Sequence, residues 1–397
     1  MVTEKKKVVI LGGGYAGLMT AVSLQKKVHP SRIDVYLVNK HDYHYFTTKV
    51  HEMGAGTVDP ESIKLPIKDI IDPNFVTFIQ DEVTNLNLDR KVVECKEHTL
   101  PYDYVVVGIG GAPKNNEIPG LKEHGFFLFD WEGSYRLREH IEKQFLEYGQ
   151  NPSGPLNMVI GGTGFTSMEF IHELKERIPQ LCNLYGVESE DVHILIIEPG
   201  EKILQGYPEV IVADATKSLK KMNCEFITGV SVSQVESDQI RLADGTVIPT
   251  KTFIWAGGVQ GNPILQIEEF EQMDARVRLN EFCEVPNYPD VYVLGDASVS
   301  YNEKGEPYPP TAQLAIQQGQ YCAYNIAMKI YGQPAKPFHY IYRGMVMSLG
   351  SKNASGIVYH RHINGRFGSF MKWLIEMRYY FMLGGMRLVR KEWKNAE

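Results

Sequence analysis

Two glycine-rich segments, each placed between an apolar run and a helix-like run, constrain the fold of this chain more than any other feature. Their glycines are Gly12, Gly14 and Gly17 in the first segment and Gly162 and Gly164 in the second. Glycines at these spacings let the backbone approach a pyrophosphate, and the helix that follows directs free N–H groups toward it. Because one such loop binds one dinucleotide, the sequence predicts two dinucleotide sites, most simply for a flavin and a nicotinamide.

Polar residues end the strand that follows each loop, and they differ between the two loops. Glu198 ends the second strand, and a carboxylate there accepts hydrogen bonds from ribose hydroxyls and repels a 2′-phosphate, which favours NAD(H) over NADP(H). Asn39 and Lys40 end the first strand, where an amide can bond ribose hydroxyls without this discrimination. Ser167 replaces the usual third glycine of the second loop, so we expect the helix to approach the strand less closely. Weaker binding of the nicotinamide cofactor is one consequence that this predicts.

Strand-like runs that end in glycine recur at three later points, just before Gly110, Gly258 and Gly295. The last run returns the chain to its first nucleotide unit, and Asp296 at its end can accept hydrogen bonds from the polyol of a flavin dinucleotide; an ordinary turn aspartate is the alternative. The sequence therefore predicts an α/β fold of two Rossmann-like nucleotide-binding domains, the NADH domain inserted in the FAD domain, followed by an amphipathic segment. The predicted boundaries are 1–118 and 259–335 for the FAD domain, 119–258 for the NADH domain and 336–397 for the C-terminal region.

Length, charge and cysteine usage exclude several classes of protein. A chain of 397 residues is too long for one ordinary core, and a net charge of −7 gives no general attraction for nucleic acid. The cysteines are scattered, which argues against a disulfide framework, a metal site or a redox-active dithiol and fits a reducing cytoplasm. No run approaches the ~20 apolar residues that a membrane-spanning helix needs.

The C-terminal region combines aromatic residues with positive charge. From Arg366 to Glu397 seven Lys or Arg residues stand against three Glu residues, in a chain that is acidic as a whole. An amphipathic, basic segment of this kind predicts an anchor that lies in an anionic membrane interface. A helix that docks on another domain and exposes a basic edge is the alternative.

Two motifs carry a resemblance to a known family. Residues 309–319, PPTAQLAIQQG, fit the A-Q-x-A-x-Q-x-G motif of the type II NADH:quinone oxidoreductases, the single-subunit, non-proton-pumping NADH dehydrogenases. Residues 164–169, GFTSME, resemble that family's G-F-T-G-x-E segment, with Ser167 departing from it. Over nearly its whole length the chain resembles the two-dinucleotide flavoproteins to which this family belongs.

The resemblance implies noncovalent FAD, NADH as donor and a membrane quinone as acceptor in a respiratory chain. It also implies a homodimer that binds peripherally to the cytoplasmic face of the cell membrane. Residues implied to contact FAD are Gly12, Gly14, Gly17, Asn39, Lys40, Thr48, Gly110, Asp296, Ala312 and Gln313. Those implied to bind NADH are Gly162, Gly164, Glu198 and Gly258. Those implied to bind the quinone are Gln313, Gln317, Lys372 and Ile375, and the implied catalytic residues are Glu169, Gln313, Gln317 and Lys372.

Some of these roles can also be argued from the residues themselves. Gln313 and Gln317 stand four apart, so they share one helical face, where neutral amides can bond flavin and quinone carbonyls; two surface glutamines are the alternative. Glu169 comes early in the helix after the second loop, where the helix dipole lowers the pKa of a carboxyl and the residue can simply stabilise that helix. The resemblance implies a role near the nicotinamide and the quinone, in relaying a proton.

Other functions remain open at this point. A sulfide:quinone oxidoreductase would need cysteines beside the flavin, which the placement of the cysteines does not support. A rubredoxin or ferredoxin reductase would use a soluble protein acceptor. A flavin-bound sensor or scaffold that responds to NADH with slow turnover would suit a nicotinamide site weakened by Ser167.

Overall fold

The computed structural model describes residues 4–114, 117–222 and 224–395, so residues 1–3 and 396–397 of the first and last predicted segments lie outside it. The α-helices are α1 Tyr15–Gln25, α2 Val50–Ala55, α3 Leu121–His124, α4 Trp131–Gln150, α5 Phe165–Tyr185, α6 Glu209–Lys221, α7 Ala312–Ile330 and α8 Gly365–Asn395.

The first strands are β1 Lys6–Leu11, β2 Ile33–Asn39, β3 Tyr43–Tyr45, β4 Lys64–Pro66, β5 Val76–Gln80, β6 Val83–Asn87, β7 Val92–Cys95, β8 Thr99–Pro101, β9 Tyr104–Val107, β10 Ala112–Pro113, β11 Phe126–Phe127, β12 Leu156–Gly161, β13 Val192–Glu198 and β14 Glu225–Thr228. The later ones are β15 Val232–Val235, β16 Gln239–Leu242, β17 Val247–Pro249, β18 Thr252–Trp255, β19 Val259–Gln260, β20 Gln272–Met273, β21 Arg276–Arg278, β22 Glu284–Val285, β23 Tyr288–Val293, β24 Ser298–Val299, β25 Gly344–Ser348, β26 Ala354–Val358 and β27 Arg361–Asn364.

The first nucleotide unit is built on a six-stranded sheet in the order β22-β23-β9-β1-β2-β5, parallel except for β22. Helices cover both faces of such a sheet, and for this reason its central strands are continuous apolar runs. Leu11 pairs with both Val38 and Val107, and Val107 pairs with Val293, so four strands end at the same edge. The loops at this edge carry the residues predicted to contact FAD.

The second unit has its own parallel sheet in the order β11-β18-β12-β13-β14. Gly161 pairs with Ile197 and with Trp255, which brings the second glycine loop, Glu198 and Gly258 to one edge. Strand β23 of the first sheet follows β18 of the second in the chain, so one unit is inserted in the other. The predicted fold class is therefore confirmed.

The two chain crossings between the units are paired with each other. Ala112 pairs with Gln260, and Pro113 pairs with Val259, which makes a short antiparallel ribbon of β10 and β19. The ribbon begins directly after Gly110 and Gly258, at the edges where both nucleotide loops lie. The remaining small sheets are β3-β4, β6-β7-β8, β15-β16-β17 and β20-β21-β24.

The C-terminal region packs onto both units. Strands β25, β26 and β27 form an antiparallel sheet that contacts α5, α6 and α8. Helix α8 kinks at Gly384 and Gly385, whose backbone dihedrals are not helical. Before and after the kink α8 buries Tyr379, Tyr380 and Leu388 in the core of the first unit. Helix α8 is therefore docked on the rest of the fold, which the alternative to a membrane anchor predicts. Its exposed side chains include Phe370, Leu374, Ile375 and Phe381.

Helix α7 lies directly against α1, the helix of the first glycine loop. A Cβ atom at Gly319 would meet the backbone oxygen of Ala16 at 2.5 Å, so only glycine allows this approach. We expect Gly319→Ala to lower the free energy of unfolding by about 1–3 kcal/mol, since backbone would have to move. Urea unfolding measures this. The exposed neighbour Gln320→Ala is the control, and an equal loss in both variants would contradict the packing argument.

Candidate active site

The first glycine loop is closed tightly onto its strand and helix. Gly12 has a φ of +96°, and a Cβ atom there would meet the oxygen of Gly108 at 2.4 Å. A Cβ atom at Gly17 would meet the oxygen of Gly12 at 2.0 Å. The start of α1 can therefore approach the loop only because both residues are glycine.

Two side chains from the next part of the chain hold this loop in shape. Asn39 accepts a hydrogen bond from the Gly13 N–H at 2.8 Å and donates to the oxygen of His41 at 2.8 Å. His44 approaches the oxygen of Gly13 at 2.9 Å through Nδ1, and burial lowers the pKa of His44 to about 4, so the neutral ring donates. The amide of Asn39 thus supports the loop itself, and its expected contact with a ribose stays a prediction.

The other predicted FAD residues surround the same edge. The ammonium of Lys40 lies 3.2 Å from Glu132, and the hydroxyl of Thr48 lies 3.0 Å from that of Tyr15. Burial raises the pKa of Asp296, and its carboxyl group makes no hydrogen bond within the described ranges. A buried acid without a hydrogen-bond partner favours a donor such as a hydroxyl. A Cβ atom at Gly110 would meet no atom within 4 Å, so space is free there for a nucleotide.

At the second loop, Glu198 is already bonded to its surroundings. One carboxylate oxygen accepts from the hydroxyl of Thr163, and the other accepts from the Gly200 N–H at 2.9 Å. Each carboxylate oxygen has a second lone pair, so Glu198 retains the capacity to accept from a ribose. Around Gly164 and Gly258 a Cβ atom would meet nothing within 4 Å.

Ser167 is fully buried at the start of α5. Its hydroxyl has no hydrogen-bond partner among the residues that the structure describes. The corresponding Gly17 has no room for a Cβ atom, whereas Ser167 carries one. The looser approach of α5 to its loop stays a prediction.

Glu169, in the second turn of α5, is the centre of a buried charged cluster. Its Oε1 accepts from the Lys372 ammonium at 2.9 Å and from the Ser348 N–H at 2.9 Å. Burial alone would raise the pKa of Glu169, but the charge of Lys372 and the hydrogen bonds from Ser348 and Lys372 outweigh burial and lower it. The same pairing keeps the pKa of Lys372 raised although burial opposes its charge. The structure thus joins two residues that the sequence analysis assigned to catalysis.

Two residues that no sequence motif singles out lie beside this pair. His51 and Glu52 open α2, and the ring of His51 is 1% exposed. Its Nδ1 lies 3.6 Å from Oε2 of Glu169, and its Nε2 lies 3.7 Å from Oε1 of Glu52. No local pattern in segment 47–52 predicts the contact between His51 and Glu169, because the two residues lie more than a hundred positions apart in the sequence.

Gln313 and Gln317 contact backbone of the chain segment 341–344. Gln313 donates to the oxygen of Gly344 at 3.2 Å and accepts from the Arg343 N–H at 2.8 Å. Gln317 donates to the oxygen of Ile341 and accepts from its N–H, both at 2.9 Å. The two amides therefore hold this segment, which we call the strap, on the first turns of α7.

The predicted quinone residues fall into two groups along β25. The strap and both glutamines lie at its Gly344 end, while Glu169 and Lys372 lie at its Ser348 end. Four residues of strand separate the two groups by roughly 13 Å. Ile375, one turn after Lys372 on α8, is 47% exposed.

Large apolar side chains are exposed on the strap and on α8. They are Ile341, Tyr342, Phe367, Phe370, Leu374, Ile375, Phe381, Met386 and Trp393. Among the described residues, no helix is both long and apolar enough to cross a membrane.

The Glu169–Lys372 pair allows a direct stability test. Lys372→Met leaves the Glu169 charge buried without its partner, and we expect it to lower the free energy of unfolding by about 3 kcal/mol at neutral pH. Because the pKa of Glu169 is depressed in the folded protein, the pair stabilises above the ordinary glutamate pKa, about 4.3, and this contribution falls as pH drops below it. In the Lys372→Met variant, protonation of Glu169 removes its buried charge. The loss of unfolding free energy relative to the wild-type protein should therefore become smaller as the pH falls toward the ordinary glutamate pKa. Urea unfolding at several pH values measures both effects. The ion pair is contradicted if the stability loss of Lys372→Met does not depend on pH, or if adding Glu169→Gln to this variant does not restore stability.

Comparisons with known proteins agree with this geometry. The family model described as pyridine nucleotide-disulphide oxidoreductase matches residues 6–319. Relatives named type II NADH:quinone oxidoreductase from Staphylococcus saprophyticus and Staphylococcus aureus are 36% and 35% identical, over 99% of this chain and 100% of theirs.

Two solved structures share the fold at low sequence identity. The structure of NDH2 from Plasmodium falciparum in complex with NADH matches with a TM-score of 0.86 at 17% identity, over 98% of this chain and 97% of that one. The sulfide:quinone oxidoreductase of Aquifex aeolicus matches with a TM-score of 0.78 at 19% identity, over 98% and 92%. The full-length sequence similarity, together with the two nucleotide loops, confirms the resemblance: the chain belongs to the pyridine nucleotide-disulphide oxidoreductases and, within them, to the type II NADH:quinone oxidoreductases.

Proposed function

We propose that this protein transfers two electrons from NADH to a membrane quinone through noncovalently bound FAD. The observation that carries the proposal is the combination, in one chain, of two dinucleotide loops and a buried Glu169–Lys372 pair at the contact between α5 and α8. A relative that is 36% identical over 99% of this chain carries the name of this activity.

FAD fits the first edge on two grounds. The space in front of Gly110 is free, and the carboxyl group of Asp296 lacks a donor within the described ranges. The first glycine loop would hold the pyrophosphate, and Asp296 would accept from the polyol. Lys40 and Thr48 would lie beside the nucleotide, with Ala312 and Gln313 at the N-terminus of α7, where free N–H groups favour a carbonyl. Bound FAD would supply hydride acceptance from NADH and electron transfer to the quinone.

NADH would bind at the second edge. Gly162 and Gly164 would hold its pyrophosphate, Gly258 would lie beside it, and Glu198 would accept from the ribose hydroxyls with its remaining lone pairs. The negative charge of Glu198 would repel a 2′-phosphate. Ser167, which stands where the first loop has Gly17, would leave this loop looser than the first, as suits a nicotinamide cofactor that enters and leaves on each turnover.

The quinone would approach between the strap and α8. Gln317 and Ile375 would contact it near the exposed apolar surface, and Gln313 would contact it near α7. Lys372 would stabilise negative charge that develops on a quinone oxygen, and Glu169 would supply the proton. Because both glutamine amides bond the strap, entry of the quinone would exchange these bonds for new ones.

We propose that the strap and α8 rest on the cytoplasmic face of the cell membrane and that the protein is a homodimer. Exposed aromatic side chains beside basic residues support a peripheral contact with anionic lipid. For the domains we propose the boundaries 1–118 with 259–335, 119–258, and 336–397.

An anaerobic double-mixing experiment tests the proposed function. The protein with FAD is mixed with NADH and then with a short-chain quinone while the flavin absorbance is followed. Rapid bleaching by NADH and rapid recovery with quinone are the expected result. Bleaching by NADH without recovery on adding quinone would favour a soluble acceptor such as rubredoxin. Slow bleaching by NADH would favour a sensor. Bleaching by sulfide in place of NADH would favour sulfide oxidation.

Membrane binding gives a second prediction. Phe370→Ser combined with Phe381→Ser removes two exposed rings, and burial of each ring is worth about 1.5–3 kcal/mol, so the double variant should bind anionic liposomes at least about tenfold more weakly. Flotation with liposomes measures this. Leu184→Ser, at an exposed apolar position at the end of α5, is the matched control. Equal binding of the double variant and the wild-type protein would contradict the proposed membrane face.

A further inference from the structure

We propose that His51 relays a proton from Glu52, at the floor of a solvent-connected cleft, to Glu169, and that this relay supplies the one proton that quinone reduction takes from solvent in each turnover. The inference rests on the proposed function, because reduction of a quinone to a quinol takes up a proton. Neither His51 nor Glu52 contacts the proposed path of the quinone; both act through Glu169 and are therefore positioning residues.

The cleft connects the charged cluster to solvent. It has a volume of about 530 Å³ and lies between α2, α5 and α8. Glu52, Glu173, Lys372 and Glu376 line its inner part, and the exposed Glu176 lies at its outer part. His51 and Glu169 do not line the cleft. A proton from solvent thus reaches Glu52 directly but must pass another group to reach Glu169.

His51 occupies the position between the two carboxyl groups. Nδ1 faces Glu169 at 3.6 Å and Nε2 faces Glu52 at 3.7 Å. Nε2 is buried and has no hydrogen-bond partner in the part of the chain that the structure describes. Each gap would have to close by about 0.5 Å to reach hydrogen-bond length. An imidazole with an acid at each nitrogen can accept a proton on one side and release one on the other.

The charges around the ring support this direction of transfer. Burial lowers the pKa of His51 to about 4, so the ring is neutral at rest, and burial raises the pKa of Glu52 to about 7. Glu169 is ionised because Lys372 outweighs its burial, which makes it the acceptor. The other charged groups that face the cluster are Lys49, Glu173 and Glu376.

Lys372 is a less suitable donor although it lines the cleft. Its pKa is raised by Glu169 despite burial, so it retains its proton and fixes the charge of Glu169. The ion pair therefore keeps Glu169 ready to accept a proton and does not itself deliver one from the cleft.

The proton count is balanced as follows. Protonated Glu52 gives its proton to Nε2 of His51, and His51 gives its Nδ1 proton to Glu169, which passes it to the quinone. Glu52 then takes a proton from cleft water. Each passage moves the ring from the Nδ1–H to the Nε2–H tautomer, so the ring must return to the first tautomer before the next turnover. Reduction of a quinone to a quinol takes two electrons and two protons. The hydride of NADH supplies both electrons and one of these hydrogens through FAD, so each turnover takes one proton from the cleft.

The test compares electron acceptors that differ in their need for protons. His51→Phe and Glu52→Gln, each prepared with FAD, are reduced by NADH and then reoxidised in a single turnover by a short-chain quinone or by ferricyanide, a one-electron acceptor that takes up no proton. We expect reoxidation by quinone to slow by about tenfold or more in both variants, since positioned proton transfer commonly contributes about 10²–10⁴-fold. Reoxidation by ferricyanide and bleaching by NADH should stay at wild-type rates.

Two controls separate the relay from a structural role. Glu176→Gln makes the same substitution in the same cleft, away from His51, and should leave the quinone rate unchanged. Added formate should restore the rate of reoxidation by quinone in Glu52→Ala, because it replaces the missing acid in the cleft. If His51→Phe fails to fold, Glu52→Ala takes its place in the test.

Unchanged quinone rates in the His51 and Glu52 variants would overturn the relay, as would equal slowing with ferricyanide. The wild-type protein separates this outcome from failure of the proposed function. If wild-type protein reduced by NADH is not reoxidised by quinone, the proposed function fails. If quinone reoxidises the wild-type protein and both variants at the same rate, only the relay fails.

Discussion

The ion pair between Glu169 and Lys372 is the interaction on which the arrangement of the site depends. It joins residues 203 positions apart and is bonded to Ser348 at the end of β25. The side chains are only 11% and 17% exposed, so their mutual attraction is weakly screened, and either charge alone would be costly to bury. A buried pair is weak evidence of net stability, but it allows only one placement of α8 against α5. The C-terminal region is thereby fixed to the inserted nucleotide unit.

A second set of contacts fixes α8 to the other nucleotide unit. Tyr379 packs against Tyr15 with ring centroids 4.7 Å apart and approaches His44, which holds the first glycine loop. The helix therefore touches both units along its buried side while its exposed aromatic residues face outward. We propose that this apolar surface guides a lipid-dissolved acceptor toward the interior. A docked helix and a membrane anchor, which are alternatives in the sequence, are therefore compatible in the structure.

The sequence predicted the parts of the fold that depend on local pattern. The two glycine loops, the polar strand ends and the return of the chain to its first sheet all follow from short motifs and their order. Contacts between distant segments could not be predicted in this way. The amides of Gln313 and Gln317 were assigned to flavin and quinone, yet they bond the strap, because nothing in the spacing of α7 reveals which backbone lies over it. The contact of His51 with Glu169 could not be predicted for the same reason, since it depends on how α2 packs against α5.

We propose that NADH and quinone reach one flavin at different sites, NADH at the second glycine loop and quinone between the strap and α8. The most direct test is the rate at which NADH bleaches the flavin in the presence of a saturating quinone analogue that cannot be reduced. Separate sites predict that the bleaching rate and its dependence on NADH concentration stay unchanged. Competition, seen as a rise in the NADH concentration needed for half of the maximal rate, would show that the two substrates share one site and would contradict the account.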